Sequence, residues 1–97
     1  MAEEKLTDYQ ADILEVIVNN SVETISYHKP QIQLGSVVEN KSKDETAEAL
    51  RSLENKFGVL ALDPKLKFGP FNKCGYRVIN LDQAKKLYDS YVREREE

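Results

Sequence analysis

The sequence predicts an α+β domain in which helices fill the first half and a β-hairpin and a last helix fill the second. Residues 42–57 show the spacing of an amphipathic helix, with apolar residues from Ala47 to Phe57 on one stripe. After Gly58 the pattern changes to short β-favouring runs, VLALD and then YRVIN. The 97 residues are enough for one modest core but too few for two, so we expect a single domain.

The first helix is predicted to begin after Thr7. Thr7 and Gln10 match a T-x-x-Q capping box, in which each side chain accepts a backbone N–H that the first turn leaves unpaired. The apolar spacing predicts a helix over residues 8–19, and the turn-forming residues that follow should end it. Its inward residues are expected to be Ile13, Leu14, Ile17 and Val18.

The next segment carries weaker signals. The β-favouring residues from Thr24 to Tyr27 predict a short third strand that Pro30 closes. A brief helix over residues 31–39 should follow and end in a turn before Ser42. The residues it would bury are Ile32, Leu34, Val37 and Val38.

The helix over residues 42–57 has the best-defined ends. Ser42 and Glu45 match an S-x-x-E capping box, and Gly58 can take the left-handed conformation that closes a helix. Hairpin strands are predicted over residues 59–63 and 75–80, with a long tip between them that is rich in Gly, Pro and Lys. Asn80 should then cap a last helix, with Gln83 reaching back and an apolar seam formed by Leu81, Ala84, Leu87, Tyr88, Tyr91 and Val92.

Composition argues against several classes of protein. Cys74 and His28 are the only cysteine and histidine, so neither an internal disulfide nor a Cys/His zinc site is expected. The sequence holds no phosphate-cradling glycine loop, no H-E-x-x-H and no serine elbow, and we expect neither an enzyme nor a cofactor. No apolar run approaches the roughly 20 residues that span a bilayer, and the acidic start is unlike a secretory signal. We therefore expect a cytosolic protein without a membrane partner.

The net charge of −3 conceals an uneven distribution. Residues 1–15 carry five carboxylates against one lysine, whereas residues 65–80 carry four cations and no acid. DNA affinity depends on local phosphate contacts, because those contacts release counterions. An acidic protein with a basic hairpin is therefore compatible with DNA binding.

Two helices joined by a tight turn and followed by a hairpin have the layout of a helix-turn-helix with a wing. The stretch ETAEALRSLENKFGVLALDP, followed by GYRVINLDQAKKL, resembles winged helix-turn-helix regulators of the MarR and PadR kind and small winged-helix proteins of archaeal plasmids and viruses. The resemblance covers about residues 7–92 and is a pattern of apolar positions. It implies that residues 43–57 enter the major groove of double-stranded DNA, that residues 63–75 reach a minor groove or phosphates, and that the terminal helices form a homodimer.

The expected DNA contacts are basic and hydroxyl side chains, which donate to base edges and phosphates. Asp44, Glu45 and Glu48 count against this interpretation because carboxylates repel phosphates, although a glutamate can accept from a cytosine amino group. The predicted DNA-binding residues are Lys41, Ser42, Lys43, Thr46, Arg51, Ser52, Lys65, Lys67, Lys73 and Arg77, and the predicted dimer interface is Leu14, Leu87, Tyr88 and Tyr91.

Several of these residues also have structural interpretations. Arg51 can pair with Glu48 or Glu54 along the helix, and the tip lysines can protect a strand edge from aggregation. The competing function is a winged-helix module for protein contact, which would dock through the acidic first helix or through Phe68 and Phe71 at the tip. A transcriptional regulator and a plasmid or viral partition factor are both compatible with the DNA-binding interpretation.

Overall fold

The computed structural model describes residues 6–68, 71–72 and 75–96, which form a small α+β fold. A three-residue 3-10 helix at Gly35–Val37 follows the second helix. The predicted order of elements is confirmed, and the hairpin tip adds a two-stranded ribbon. The elements are α1 (Asp8–Asn20), β1 (Thr24–Ser26), α2 (Gln31–Leu34), α3 (Lys43–Asn55), β2 (Leu60–Asp63), β3 (Lys67–Phe68), β4 (Phe71–Asn72), β5 (Gly75–Val78) and α4 (Leu81–Glu96).

The larger sheet has three antiparallel strands in the order β1-β5-β2, so the strand that comes last in the chain lies in the centre. The register places both Ile25 of β1 and Leu62 of β2 opposite Tyr76 of β5. Directly opposed residues share a face, and on this face Ile25 and Tyr76 are buried, whereas Leu62 near the end of β2 is 46% exposed. The predicted third strand, β1, therefore forms the edge of the sheet opposite β2.

All four helices and the three sheet strands contribute to one core. Leu14 of α1 lies at its centre with 0% of its surface exposed. A residue buried in its own chain cannot contact a partner, so the prediction of Leu14 in a dimer interface is wrong. The largest fully buried side chains are Ile13, Leu14, Ile17, Ile25, Leu34, Leu50, Leu53, Val59 and Leu60.

The three predicted caps are present, but only the cap at Thr7 has the reciprocal bond, and no bond from the Gln83 side chain back to Asn80 is found among the described residues. Thr7 and Gln10 form both halves of their capping box, and Asn80 Oδ1 accepts from the Gln83 N–H at 3.1 Å. Ser42 Oγ likewise accepts from the Glu45 N–H at 3.1 Å. The Glu45 carboxylate does not complete this second box, because it lies 3.9 Å from Lys41 Nζ instead.

The helix after β1 is shorter than the sequence predicts. The helix predicted over residues 31–39 ends at Leu34, because Gly35 takes a φ of +68° and the chain tightens into the 3-10 helix. Leu34 and Val38 are buried as expected. The predicted burial of Ile32 is wrong: Ile32 is 65% exposed, since a four-residue helix turns only one side to the core and Leu34 occupies it. Gly58, in contrast, takes the left-handed conformation predicted after α3, with a φ of +68°.

Among the residues described, no helix combines the length and the apolar character needed to cross a bilayer.

Candidate nucleic-acid interface

The start of α3 presents two lysines around its serine cap. Lys41 and Lys43 are both exposed on either side of Ser42. Lys41 Nζ lies 5.1 Å from the centroid of the Tyr9 ring and 3.9 Å from Glu45 Oε2, while 43% of its side chain remains exposed. These two ammonium groups can therefore be reached by an anionic ligand at the N-terminal end of α3, where the helix dipole also favours negative charge.

Thr46 belongs to the fold and not to this surface. Its side chain is only 5% exposed, although the sequence placed it among the DNA contacts. Its hydroxyl donates to the Ser42 carbonyl at 3.1 Å and lies 2.7 Å from the Tyr9 hydroxyl. With its donor already used, Thr46 has no proton to offer a phosphate or a base, and its prediction as a DNA contact is corrected. The buried stripe of α3 is accordingly Thr46, Ala49, Leu50 and Leu53.

The outward face of α3 carries Arg51 and Ser52 along an open groove of about 500 Å³, which Glu48, Asn55 and Lys56 also line. Arg51 is exposed, and no ion pair holds it within the described part of the chain. Glu54, a proposed partner of Arg51, instead accepts the Leu62 N–H at 2.8 Å. The guanidinium group is thus available for an external ligand.

A second groove of about 660 Å³ separates the start of α3 from the loop between β1 and α2. The loop is held in shape by hydrogen bonds from the Lys29 N–H to Ser26 Oγ at 3.1 Å and from the Ser26 N–H to Gln33 Oε1 at 3.0 Å. Lys29 lines this groove together with Lys41 and Lys43. Lys29 was missed from the sequence because its proximity to α3 depends on the tertiary fold.

The basic residues of the hairpin lie near an acidic side chain, which the charge distribution of the sequence did not indicate. Arg77 Nη2 lies 3.1 Å from Asp63 Oδ2, and the Lys65 N–H donates to Asp63 Oδ1 at 2.9 Å. The Lys65 N–H and then the Arg77 guanidinium hold the pKa of Asp63 below its usual value. Arg77 is therefore partly neutralised, whereas the Lys65 side chain is exposed. Lys67 lies on β3, and Lys73 falls outside the described residues.

The terminal helices pack against each other within one chain. Tyr88 donates to Glu15, and this hydrogen bond raises the pKa of Tyr88 to about 12. Tyr91 and Arg95 both donate to Asp8, the guanidinium at 2.7 Å. Asp8 and Glu15 of α1 thus have partners on α4. Leu87 also packs against the core and is half-buried, so homodimerisation through Leu87, Tyr88 and Tyr91 stays a prediction.

No three His, Cys, Asp or Glu side chains come together as a metal site within residues 6–68, 71–72 and 75–96. No family model matches the chain, and no curated protein or solved structure matches it either. Its function must therefore be inferred from its own residues.

Proposed function

We propose that this chain is a winged helix-turn-helix protein that binds double-stranded DNA in a sequence-specific manner and has no catalytic role. The observation that carries this proposal is the arrangement of α2, α3 and the hairpin. Residues 35–42, which include the 3-10 helix, join α2 to α3, a hairpin follows, and its last strand pairs with β1. This arrangement supports a helix-turn-helix with an attached wing, in which the second helix reads the major groove.

The outward face of α3 supplies the groups for base contact. Arg51 can form two hydrogen bonds to a guanine, and Ser52 can donate to either kind of base. Lys41 and Lys43 meet phosphates at the start of the helix. The Ser42 hydroxyl accepts the capping N–H and keeps its own proton for a phosphate oxygen.

The hairpin supplies the second point of contact. Lys65, Lys67 and Lys73 reach the neighbouring minor groove or its phosphates, and Arg77 contributes less because Asp63 pairs with it. A homodimer would place two copies of α3 about one helical turn apart on a pseudo-palindromic site. Transcriptional regulation and partition of a plasmid or viral genome both fit such a protein.

The competing function is a winged-helix module for protein contact. The acidic first helix favours this alternative less than the sequence indicated, because Asp8 and Glu15 are hydrogen-bonded by α4, although Asp12 remains exposed. The structure adds one apolar group to this alternative, the Ile32 side chain on α2, which is 65% exposed. Its partner would be a protein with an apolar pocket, and such a complex would not require DNA.

Salt dependence distinguishes the two functions. If Lys41, Lys43, Lys65 and Lys67 each neutralise one phosphate, the logarithm of affinity should fall with a slope of about −3.6 against the logarithm of salt concentration. A fluorescence-polarisation titration with random-sequence duplex should then show an affinity about 150-fold weaker at about 200 mM salt than at about 50 mM. Absence of binding at the lower salt concentration would reject the DNA-binding function.

The contribution of the hairpin can be isolated with matched variants. The double substitution Lys65→Ala and Lys67→Ala should weaken binding to all duplex sequences and make the salt slope less steep by about 1.8. The control is Lys85→Ala with Lys86→Ala, which removes the same charge from exposed positions on α4. Equal losses for both double variants would show a general effect of net charge and would exclude the wing contact.

The contribution of α3 to specificity needs a different measurement. Arg51→Ala should reduce the ratio of affinity for a selected site to affinity for random duplex. If both affinities fall by the same factor, Arg51 contacts a phosphate and does not read a base.

A further inference from the structure

Tyr9 connects the beginning of α1 to the beginning of α3. The Tyr9 hydroxyl lies 2.7 Å from Thr46 Oγ1, and Thr46 Oγ1 donates to the Ser42 carbonyl at 3.1 Å. A threonine hydroxyl has only one proton, so Tyr9 must be the donor in its bond to Thr46. The ring of Tyr9 is therefore held at both ends, by α1 through its backbone and by α3 through its hydroxyl.

The face of this ring lies against Lys41. Lys41 Nζ is 5.1 Å from the ring centroid, within the range of a cation–π interaction. The other contact of the ammonium is Glu45 Oε2 at 3.9 Å, where both side chains are exposed, by 43% and 58%. A long ion pair in water contributes little, so the ring is the better-defined restraint on Lys41.

We infer that Tyr9 is a positioning residue for nucleic-acid binding: its ring holds the Lys41 ammonium at the start of α3, where the ammonium contacts a DNA phosphate. This inference rests on the proposed function. A lysine side chain gives up rotamer freedom when it binds a phosphate. A side chain that the ring already restrains gives up less, so Tyr9 increases affinity without contacting DNA.

Paired substitutions test the coupling. Tyr9→Leu removes the ring, whereas Tyr9→Phe keeps the ring and loses only the hydrogen bond to Thr46. Both should be combined with Lys41→Ala and titrated with random-sequence duplex at low salt. Tyr9→Leu should weaken binding about two- to fivefold when Lys41 is present and should have no further effect in the Lys41→Ala background. Tyr9→Phe should stay close to the unaltered protein.

Nuclear magnetic resonance provides a readout that does not depend on DNA. The Lys41 Hε resonance should be shifted upfield by the ring in the unaltered protein and in Tyr9→Phe, and should return to its random-coil position in Tyr9→Leu. Circular dichroism checks that the variants fold, and Tyr9→Met replaces Tyr9→Leu if the latter does not.

Each contrary result has a distinct meaning. An unshifted Lys41 resonance in the unaltered protein overturns the ring contact. Equal weakening by Tyr9→Leu with and without Lys41 overturns positioning and indicates a general role in the fold. A shifted resonance without any DNA binding overturns the phosphate contact together with the proposed function.

Discussion

Glu54 connects the C-terminal part of α3 to the exposed edge of β2. The Ile79 N–H donates to the Val59 carbonyl at 2.9 Å, and hydrogen-bonded pairs alternate along an antiparallel ladder. The Leu62 N–H therefore points away from β5, towards the open edge, where Glu54 Oε2 accepts it at 2.8 Å. This bond fixes the hairpin relative to the helix that we propose enters the major groove, and it occupies a donor that a foreign strand could otherwise use.

Replacing Glu54 by alanine leaves the Leu62 N–H without its acceptor. A hydrogen bond of this kind contributes about 0.5–1.5 kcal/mol. With a urea slope of about 1.5 kcal/mol per molar, the unfolding midpoint should fall by about 0.3–1 M. Exchange of the Leu62 amide hydrogen should accelerate about two- to thirteenfold if it follows local opening of this bond.

Two variants control this experiment. Glu54→Gln keeps an acceptor oxygen and should retain most of the protection of the Leu62 amide. Glu48→Ala removes an exposed glutamate from the same helix and should leave that amide unchanged. If the Leu62 exchange rate is the same in Glu54→Ala as in the unaltered protein, the bond does not hold the strand edge and the reasoning fails.

Three further predictions concern the stability of the fold. Leu14→Ala should lower the free energy of unfolding in urea by about 2–5 kcal/mol, because Leu14 is a core residue. The unfolding midpoint should not depend on protein concentration, and a loss that does depend on it would return Leu14 to an interface. Tyr88→Phe should be less stable than the unaltered protein near neutral pH. The free energies of unfolding of the variant and the unaltered protein should converge from pH 10.0 to about pH 12, since a raised tyrosine pKa gives stability that is lost as the pH rises. Stability curves that stay parallel over this pH range would contradict the prediction. Ser21→Gly should raise the free energy of unfolding by about 0.5–1 kcal/mol in a thermal experiment, because Ser21 has a φ of 50°, which glycine adopts with less strain. Ser36→Gly should give no such gain.

The helices could be predicted well because their signals are local. The caps at Thr7, Ser42 and Asn80 depend on residues three positions away, and the structure contains a hydrogen bond at each of them. The break at Gly35 was harder to predict, since glycine permits a positive φ but does not require it. The exposure of Ile32 follows from that break.

The site could be predicted only in part, because the pairing of side chains depends on contacts between distant residues. Arg77 is 14 positions from Asp63, and Thr46 is 37 positions from the tyrosine that binds it. Leu50, Leu53 and Phe57 of the predicted stripe of α3 are buried, but Ala47 is only partly buried and Thr46 beside it is buried instead. A small rotation of a helix about its axis is enough to exchange a buried residue with an exposed neighbour, and amphipathic spacing defines the face only to within about one residue.

The acidic residues of α3 provide the strictest test of its orientation. Asp44 and Glu48 both line the same outward groove as Arg51, but Asp44 also lies in the first turn of α3, where the helix dipole stabilises a carboxylate. If that groove faces DNA, Glu48→Gln removes a repulsion of about 0.5 kcal/mol from a phosphate at about 8 Å in water.

Binding of Glu48→Gln to random duplex should therefore be roughly twofold tighter at low salt, and the gain should shrink near physiological salt as screening increases. Glu94→Gln on α4 makes the same change of charge and serves as the control. A gain that is equal for both variants would reflect net charge alone. Unchanged or weaker binding by Glu48→Gln would mean that the outward face of α3 does not meet the phosphates, and the exposed Ile32 side of the helix-turn-helix would then be the surface to examine for a protein partner.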